Sequence, residues 1–210
     1  MSVILAAVLG YLLGAIPFGL IIGRLTKGID LREYGSHRTG ATNALRTLGT
    51  RAAAAVFVLD VAKGVAAVVL ARILFTGDPV VEWAAAAAGV AAIVGHNWSL
   101  FIGFTGGRGV ATSAGALAAM STPTILILAP IVVLVIWRTR YVSLGSVTGA
   151  VGAPIITAVL AAVGAASVPA VAYALGSGLL VTAAHADNIG RLRSGTERKI
   201  GQKEAVSPNG

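Results

Sequence analysis

Long apolar runs constrain this chain more than any other feature. Residues 3–23 are apolar except for Tyr11 and the turn around Pro17, and further runs cover residues 52–75, 80–94, 123–137, 147–163 and 168–184. Crossing the hydrocarbon core takes about 20 helical residues. Runs of this length read as membrane-spanning helices. Only 11% of the residues are charged, against about 25% in soluble domains. The reading is an all-α polytopic membrane protein with one membrane domain, residues 1–200, and a polar tail, 201–210. With no Cys among its 210 residues, the chain is predicted to use no disulfide, thiolate metal site or cysteine nucleophile. The first run has no basic segment before it, so it reads as a retained span rather than a cleaved signal.

The net charge of +8 is placed unevenly. Of 16 Lys and Arg, six lie between Arg24 and Arg51, one is Arg108, two are Arg138 and Arg140, and five lie between Arg191 and Lys203. Basic loops stay cytoplasmic, so the N-terminus is expected outside and the loop after the first span inside. Two more spans return Arg108 to the inside. Arg138 must also be inside, which requires two crossings within the 29 residues from Gly109 to Trp137, where two full spans need about 40. One of them must be short, and Pro123 in "MSTPT" marks the break, since proline cannot donate to a helix. The prediction is seven transmembrane helices, the fourth short, with the N-terminus outside and the C-terminus cytoplasmic. A six-span alternative, with residues 109–137 as one helix, puts seven basic residues from Arg138 onward on the wrong side.

This topology gathers the polar, glycine-marked segments on one face: residues 24–51, 95–113, 140–146 and 185–201. Within "TGGRGVATS", glycines let successive backbone N–H groups point into one concavity before a helix start. Arg108 can grip phosphate oxygens there with two parallel bonds. No Lys-Ser/Thr follows the last Gly, so this is not a Walker loop. In "YGSHRTGATNALR", Gly40 breaks the chain. Residues 41–48 are predicted to form a short helix with Thr42, Asn43 and Arg46 on one face. In "HADNIGRLRSGTE", His185, Asn188 and Arg191 share a face, with a titratable ring at the membrane edge. Asp60 and Lys63 fall inside the second span. At that spacing they can pair, and Lys63 is weighed also as a support for the site. His96 reads as a boundary residue beside the aromatic anchor Trp98. No HxxxxD, GxSxG or HExxH pattern occurs. The residues alone lead to a membrane enzyme or transporter with a cytoplasmic phosphate-binding face. A transporter would need a midplane site and often internal repeats, and no convincing repeat is present.

The segments "GAIPFGLIIGR", "YGSHRTGATNALR", "DVAKG", "GHNWSLFIGFTGGRGVATS", "SLGS" and "HADNIGRLRSGTERKIG" together resemble the bacterial acyl-phosphate:glycerol-3-phosphate acyltransferases, the PlsY family. They do so in order, from Gly14 to Gly201. The resemblance implies a seven-helix enzyme of the bacterial inner membrane with its active site facing the cytoplasm. Its substrates would be acyl phosphate and glycerol 3-phosphate, its products lysophosphatidic acid and phosphate. It implies no cofactor or metal, no nucleic acid and no obligatory protein partner, with membrane lipid as the surrounding. Residue by residue, the first motif gives Ser36, Thr42, Asn43 and Arg46, and the second Gly106, Gly107, Arg108, Gly109 and Thr112. The third gives His185, Asn188 and Glu197, and "SLGS" gives Ser143. Ser36 and His185 are expected to be catalytic, Lys63 and Glu197 supporting, and the others to bind substrate. His37 and Arg38 stand where the family usually has Gly and Asn, and Arg108 where Lys is common.

Overall fold

The computed structural model describes residues 1–202, and all regular structure among them is helical apart from one isolated bridge between Ser99 and Thr105. The helices are α1 (Ser2–Ala15), α2 (Phe18–Lys27), α3 (Ala41–Thr47), α4 (Thr50–Leu74), α5 (Val81–Asn97), α6 (Val110–Met120), α7 (Thr122–Thr139), α8 (Val142–Ala162), α9 (Val168–Ala184) and α10 (Ala186–Arg193). Four helical stretches have the length and hydropathy to cross a membrane: Ser2–Lys27, Thr50–Leu74, Thr122–Thr139 and Val142–Ala162. A fifth is the pair α9–α10, bent by 61°. The first stretch contains the break at Pro17, between α1 and α2.

The packing is that of a lipid-facing bundle. Large apolar side chains such as Ile4, Phe57, Leu134, Ile155 and Leu179 are exposed, while the core is built mainly from alanine. Small residues let helix backbones approach closely where lipid supplies no hydrophobic drive between helices. A Cβ on Gly10 or Gly14 would overlap the backbone of Ala88 or Ala92, which seats α1 directly on α5.

The break at Pro123 falls where the spacing argument puts it: α6 stops at Met120 and α7 begins at Thr122. With 11 residues, α6 is about 16 Å long. Its register explains the shortness. Gly64 of α4 lies against the Thr112 carbonyl, Gly115 lies against that of Val61, and Arg72 Nη1 donates to the Ala119 carbonyl at 2.7 Å. The helix therefore runs beside the second half of α4, and its N-terminus lies roughly level with Asp60. That is about 15 Å along α4 from Thr50. The glycine turn that feeds α6 is thus sunk into the bundle. Arg72, which departs from the basic-face pattern, forms a two-pronged bond to Glu82 at 2.8 and 2.9 Å at the opposite end.

Candidate active site

The segment between α2 and α4 is a folded unit with a small core of its own. Leu31, Ala44 and Val56 are fully buried there, with Leu48 and Ala53 beside them. Asn43 organises it from the first turn of α3. Its Oδ1 accepts from the Ser36 N–H at 3.0 Å, and its Nδ2 faces the carbonyls of Leu31, Tyr34 and Arg38 at 3.0, 3.0 and 2.8 Å. Asn43 therefore turns inward, away from Thr42 and Arg46, and its amide is spent on shaping the loop rather than left for a ligand. The loop holds Ser36 half-buried, its hydroxyl without a partner among the described residues. Arg46 is exposed on the outer side. His37 has φ 55° and sets Nδ1 2.8 Å from the Arg32 carbonyl. That left-handed conformation is one that glycine adopts without strain. Asp30 forms an ion pair with Arg32 at 2.6 Å, and the Arg32 hydrogen bonds hold its carboxyl at about 2.

This loop meets the glycine turn. The Thr39 N–H approaches the Gly106 carbonyl at 3.5 Å, and Arg32 Nη1 donates to the Ile102 carbonyl and Thr105 Oγ1 at 3.1 and 3.2 Å. The turn closes on the end of α5 through the Gly107 N–H and the His96 carbonyl, 3.1 Å apart. Gly109, with φ 73°, starts α6. Thr112 Oγ1 and both polar side-chain atoms of Asn97 are buried there without partners. Such groups are costly to leave unmet.

Arg108 carries the turn to the third segment. Its Nε donates to the Ala184 carbonyl at 3.2 Å and its Nη2 to Asp187 at 2.7 Å. Arg191 shares the same Asp187 oxygen at 3.2 Å. Burial raises the Asp187 carboxyl, but Arg108 and Arg191 outweigh it and hold it below its ordinary value. His185, at the bend between α9 and α10, is buried, with Nδ1 2.8 Å from the Val181 carbonyl. A carbonyl can only accept, so Nδ1 carries the proton and Nε2 of the neutral ring presents a lone pair.

Ser143, Asn188 and Glu197 come together as a clasp. Glu197 Oε1 accepts from Ser143 Oγ at 2.8 Å and from Asn188 Nδ2 at 2.7 Å, and Oε2 accepts from Arg191 Nε at 2.7 Å. Burial alone would raise the carboxyl. The bonds from Ser143, Asn188 and Arg191 win and hold it below the usual carboxylate range. The clasp ties the segment after α10 to the start of α8, and it leaves Asn188 Oδ1 buried and unmet.

Asp60 and Lys63 form the expected pair, 2.9 Å apart and both buried. Lys63 Nζ also donates at 3.0 Å to the Ile16 carbonyl, which the Pro17 break frees. His96 belongs to this group, Nδ1 lying 3.5 Å from Asp60 Oδ1. Sequence reasoning set His96 apart as a boundary residue, and it passed over Arg32 and Asp187 as partners. Nothing in spacing reveals these contacts, which join residues 36, 70 and 79 positions apart.

Around the glycine turn, Arg32 and Thr39 come from one side, and Arg108 reaches across to the α9–α10 bend that carries His185. Such a turn with flanking cations suits a phosphate-bearing ligand. A family model for glycerol-3-phosphate acyltransferase matches residues 4–195. The glycerol-3-phosphate acyltransferase of Shouchella clausii is 44% identical over 205 residues, covering 97% of this chain and 98% of the relative. That of Halalkalibacterium halodurans is 42% identical over 200 residues, covering 94% and 95%. Among solved structures, PlsY, an integral membrane glycerol 3-phosphate acyltransferase, matches in its glycerol 3-phosphate form with TM-score 0.84, 36% identity and 96% of each chain covered. Its lysophosphatidic acid form matches with TM-score 0.82 and 35% identity. The chain belongs to the glycerol-3-phosphate acyltransferase family.

Proposed function

We propose that the protein transfers a fatty acyl group from acyl phosphate to the 1-hydroxyl of sn-glycerol 3-phosphate, giving lysophosphatidic acid and inorganic phosphate. The observation that carries this reading is the meeting of two distant segments on one sunken glycine turn. The residue 31–39 loop and the α9–α10 bend reach the segment that ends in Gly106–Gly109 through Arg32, Thr39 and Arg108.

Acyl phosphate is a mixed anhydride, so its carbonyl needs no further activation and no covalent enzyme intermediate. The glycerol hydroxyl oxygen bonds to the acyl carbon, the carbon–oxygen bond to phosphate breaks, and phosphate leaves with the electron pair. The hydroxyl proton goes to His185 Nε2 or to a substrate phosphate. Ser36 donates to the developing oxyanion. Thr42, Arg46, Arg108 and the amides of Gly106 and Gly109 hold the two phosphate groups, with Gly107 closing the turn on the His96 carbonyl and Thr112 at the start of α6. Positioning both substrates together supplies much of the rate. Ser143 and Asn188 act here through the Glu197 clasp, which fixes the α9–α10 bend.

The same reading places the chain in a bacterial inner membrane with seven crossings: α1–α2, α4, α5, the short α6, α7, α8 and α9. The N-terminus is outside, the site faces the cytoplasm, and residues 1–200 form one domain. Of the tail 201–210, residues 203–210 lie outside the described residues. The reaction needs no cofactor, nucleic acid or protein partner. A Gln202→Cys variant should react with impermeant thiol reagent only after cells are opened, and labelling in intact cells would overturn the orientation. The decisive assay supplies purified protein with palmitoyl phosphate and glycerol 3-phosphate, with palmitoyl-CoA in parallel. Lysophosphatidic acid should form from the first donor alone. Product from the CoA ester at a comparable rate would sink the donor assignment.

A further inference from the structure

Below the glycine turn lies a chain of buried charged and polar groups that the acyl transfer does not use. Lys63 Nζ stands 2.9 Å from Asp60 Oδ1, with side chains 3% and 2% exposed. The same Asp60 oxygen lies 3.5 Å from His96 Nδ1, and the His96 side chain is 5% exposed. These are close approaches rather than directed hydrogen bonds, since Asp60 Oδ1 lacks a well-aligned donor. They line a narrow crevice with Pro17, Phe18 and Thr39.

Charges inside a membrane domain are expensive, and a buried ion pair can often be replaced by apolar residues at no loss of stability. The Lys63 bond to the Ile16 carbonyl gives the pair a structural task at the Pro17 break, but it does not account for His96, whose geometry points elsewhere. The far edge of the His96 ring lies directly against the turn, because a Cβ on Gly107 would overlap His96 Nε2 and one on Gly106 would overlap the His96 carbonyl. The same carbonyl accepts the Gly107 N–H at 3.1 Å. The ring is thus a spacer with Asp60 behind it and the turn in front.

We infer that His96, set in place by the Asp60–Lys63 pair, is a positioning residue that fixes the height and tilt of the Gly106–Gly107 turn, and so the aim of the Gly106 amide and the Arg108 guanidinium at the substrate phosphate. The inference rests on the proposed reading of the turn as the cradle for glycerol 3-phosphate. It also gives Gly107 a specific reason. The glycine is needed for the ring below it, whatever approaches from above.

The test is a double-mutant cycle with Gly107→Ala and His96→Ala, read as KM for each substrate and as kcat. His96→Ala removes the spacer and should raise KM for glycerol 3-phosphate about tenfold, since small misplacements of binding groups have effects of this size or larger. KM for acyl phosphate should move less than about twofold. Gly107→Ala alone should weaken glycerol 3-phosphate at least as much. In the double variant the new methyl enters space the ring has vacated, so the two effects should not multiply. The double variant should be no worse than Gly107→Ala. His96→Gln and His96→Asn provide an independent arm if the alanine variant does not fold. Gln reaches the Nε2 position and should stay within about threefold of wild type, whereas Asn reaches only Nδ1 and should resemble the loss of the ring. Multiplying effects, an unchanged KM in folded His96→Ala, or equal behaviour of Gln and Asn would each overturn the inference. If wild-type protein makes no lysophosphatidic acid, the functional reading fails instead, so the two failures are distinct.

Discussion

Removing the carboxylate of Glu197 should unlatch the α9–α10 bend. Three donors converge on it at 2.7 to 2.8 Å, short distances typical of charge-assisted bonds. Its side chain is 6% exposed, so water screens these bonds little. Hydrogen bonds to a charged group contribute about 1.5–3 kcal/mol each, but they share one acceptor and do not add. Glu197→Ala strands the Ser143 hydroxyl and the Asn188 amide in a buried site and releases Arg191, for a loss of about 3–5 kcal/mol. Glu197→Gln keeps the shape and one accepting oxygen but sets an NH2 against the Arg191 N–H, for a loss of about 1–3 kcal/mol. For a chain this size each kcal/mol shifts Tm by about 2–4 °C, so the Ala variant should melt about 6–20 °C lower. The assay is thermal unfolding in detergent at neutral pH, repeated down an acid series. The folded carboxyl lies below its unfolded value near 4.3, so its contribution is complete above that value and is lost as pH falls through the folded value. The curves for wild type and Glu197→Gln should therefore run parallel from pH 6 to 8 and converge in acid. An Ala variant melting within about 2 °C of wild type at pH 7 would refute the clasp.

Ser36→Ala and His185→Ala should each lower kcat by about tenfold or more in protein of wild-type stability, as expected for one oxyanion donor or one acid–base group. Arg46→Lys keeps the charge but not the planar fork, so it should mainly raise KM for one phosphate-bearing substrate. Normal turnover in all three would return the residue 34–46 segment to a connecting role. Acyl phosphate is already activated, so activity should survive excess EDTA, and a loss restored by added Mg²⁺ would contradict that chemistry. His37 sits at φ 55° with a side-chain bond to the Arg32 carbonyl. His37→Gly should be nearly neutral, trading that bond against relief of strain, whereas His37→Val should be about 1–2 kcal/mol less stable than the Gly variant by thermal unfolding.

Much of the fold was legible because lipid leaves few options. The apolar runs predict the helices to within a few residues, and Gly40 and Gly49 bracket α3 as expected. The arithmetic on residues 109–137 required a short helix, and Pro123 marked its end. It did not say why the helix is short. That follows from Gly64 and Gly115 locking α6 beside the upper part of α4, a contact between residues about fifty positions apart that periodicity cannot encode. For the candidate site residues, the sequence indicated which segments carry them but not what each side chain touches. Thr42, Asn43 and Arg46 share a helix turn, so helical spacing put them on one face. In three dimensions Asn43 finds four loop partners and turns inward. A short helix packed on a loop offers the Asn43 amide backbone acceptors in place of solvent.

The basic-residue pattern hid a second kind of charge. Counting Lys and Arg sorts loops by side, but it treats each charge as a label and says nothing of what holds it. Arg72 and Lys63 were the two bases outside the pattern, and the structure shows both bound to carbonyls that helix ends leave free. Arg72 bonds the Ala119 carbonyl where α6 stops, and Lys63 bonds that of Ile16 where Pro17 breaks the first span. Each also has a carboxylate partner, Glu82 and Asp60. A broken or short helix in a bundle leaves end carbonyls without a partner in its own backbone. A cation supplied from a neighbouring long helix is one remedy, and a carboxylate accompanies it in both cases, offsetting burial at Lys63. The two bases that depart from the topology rule thus lie where helices break, and the breaks at Pro17 and Met120 flank the α5–α6 segment that carries the glycine turn. A bundle that sinks a turn this far needs broken helices around it, and each break here is met by a cation from α4, buried at Lys63 and part-exposed at Arg72.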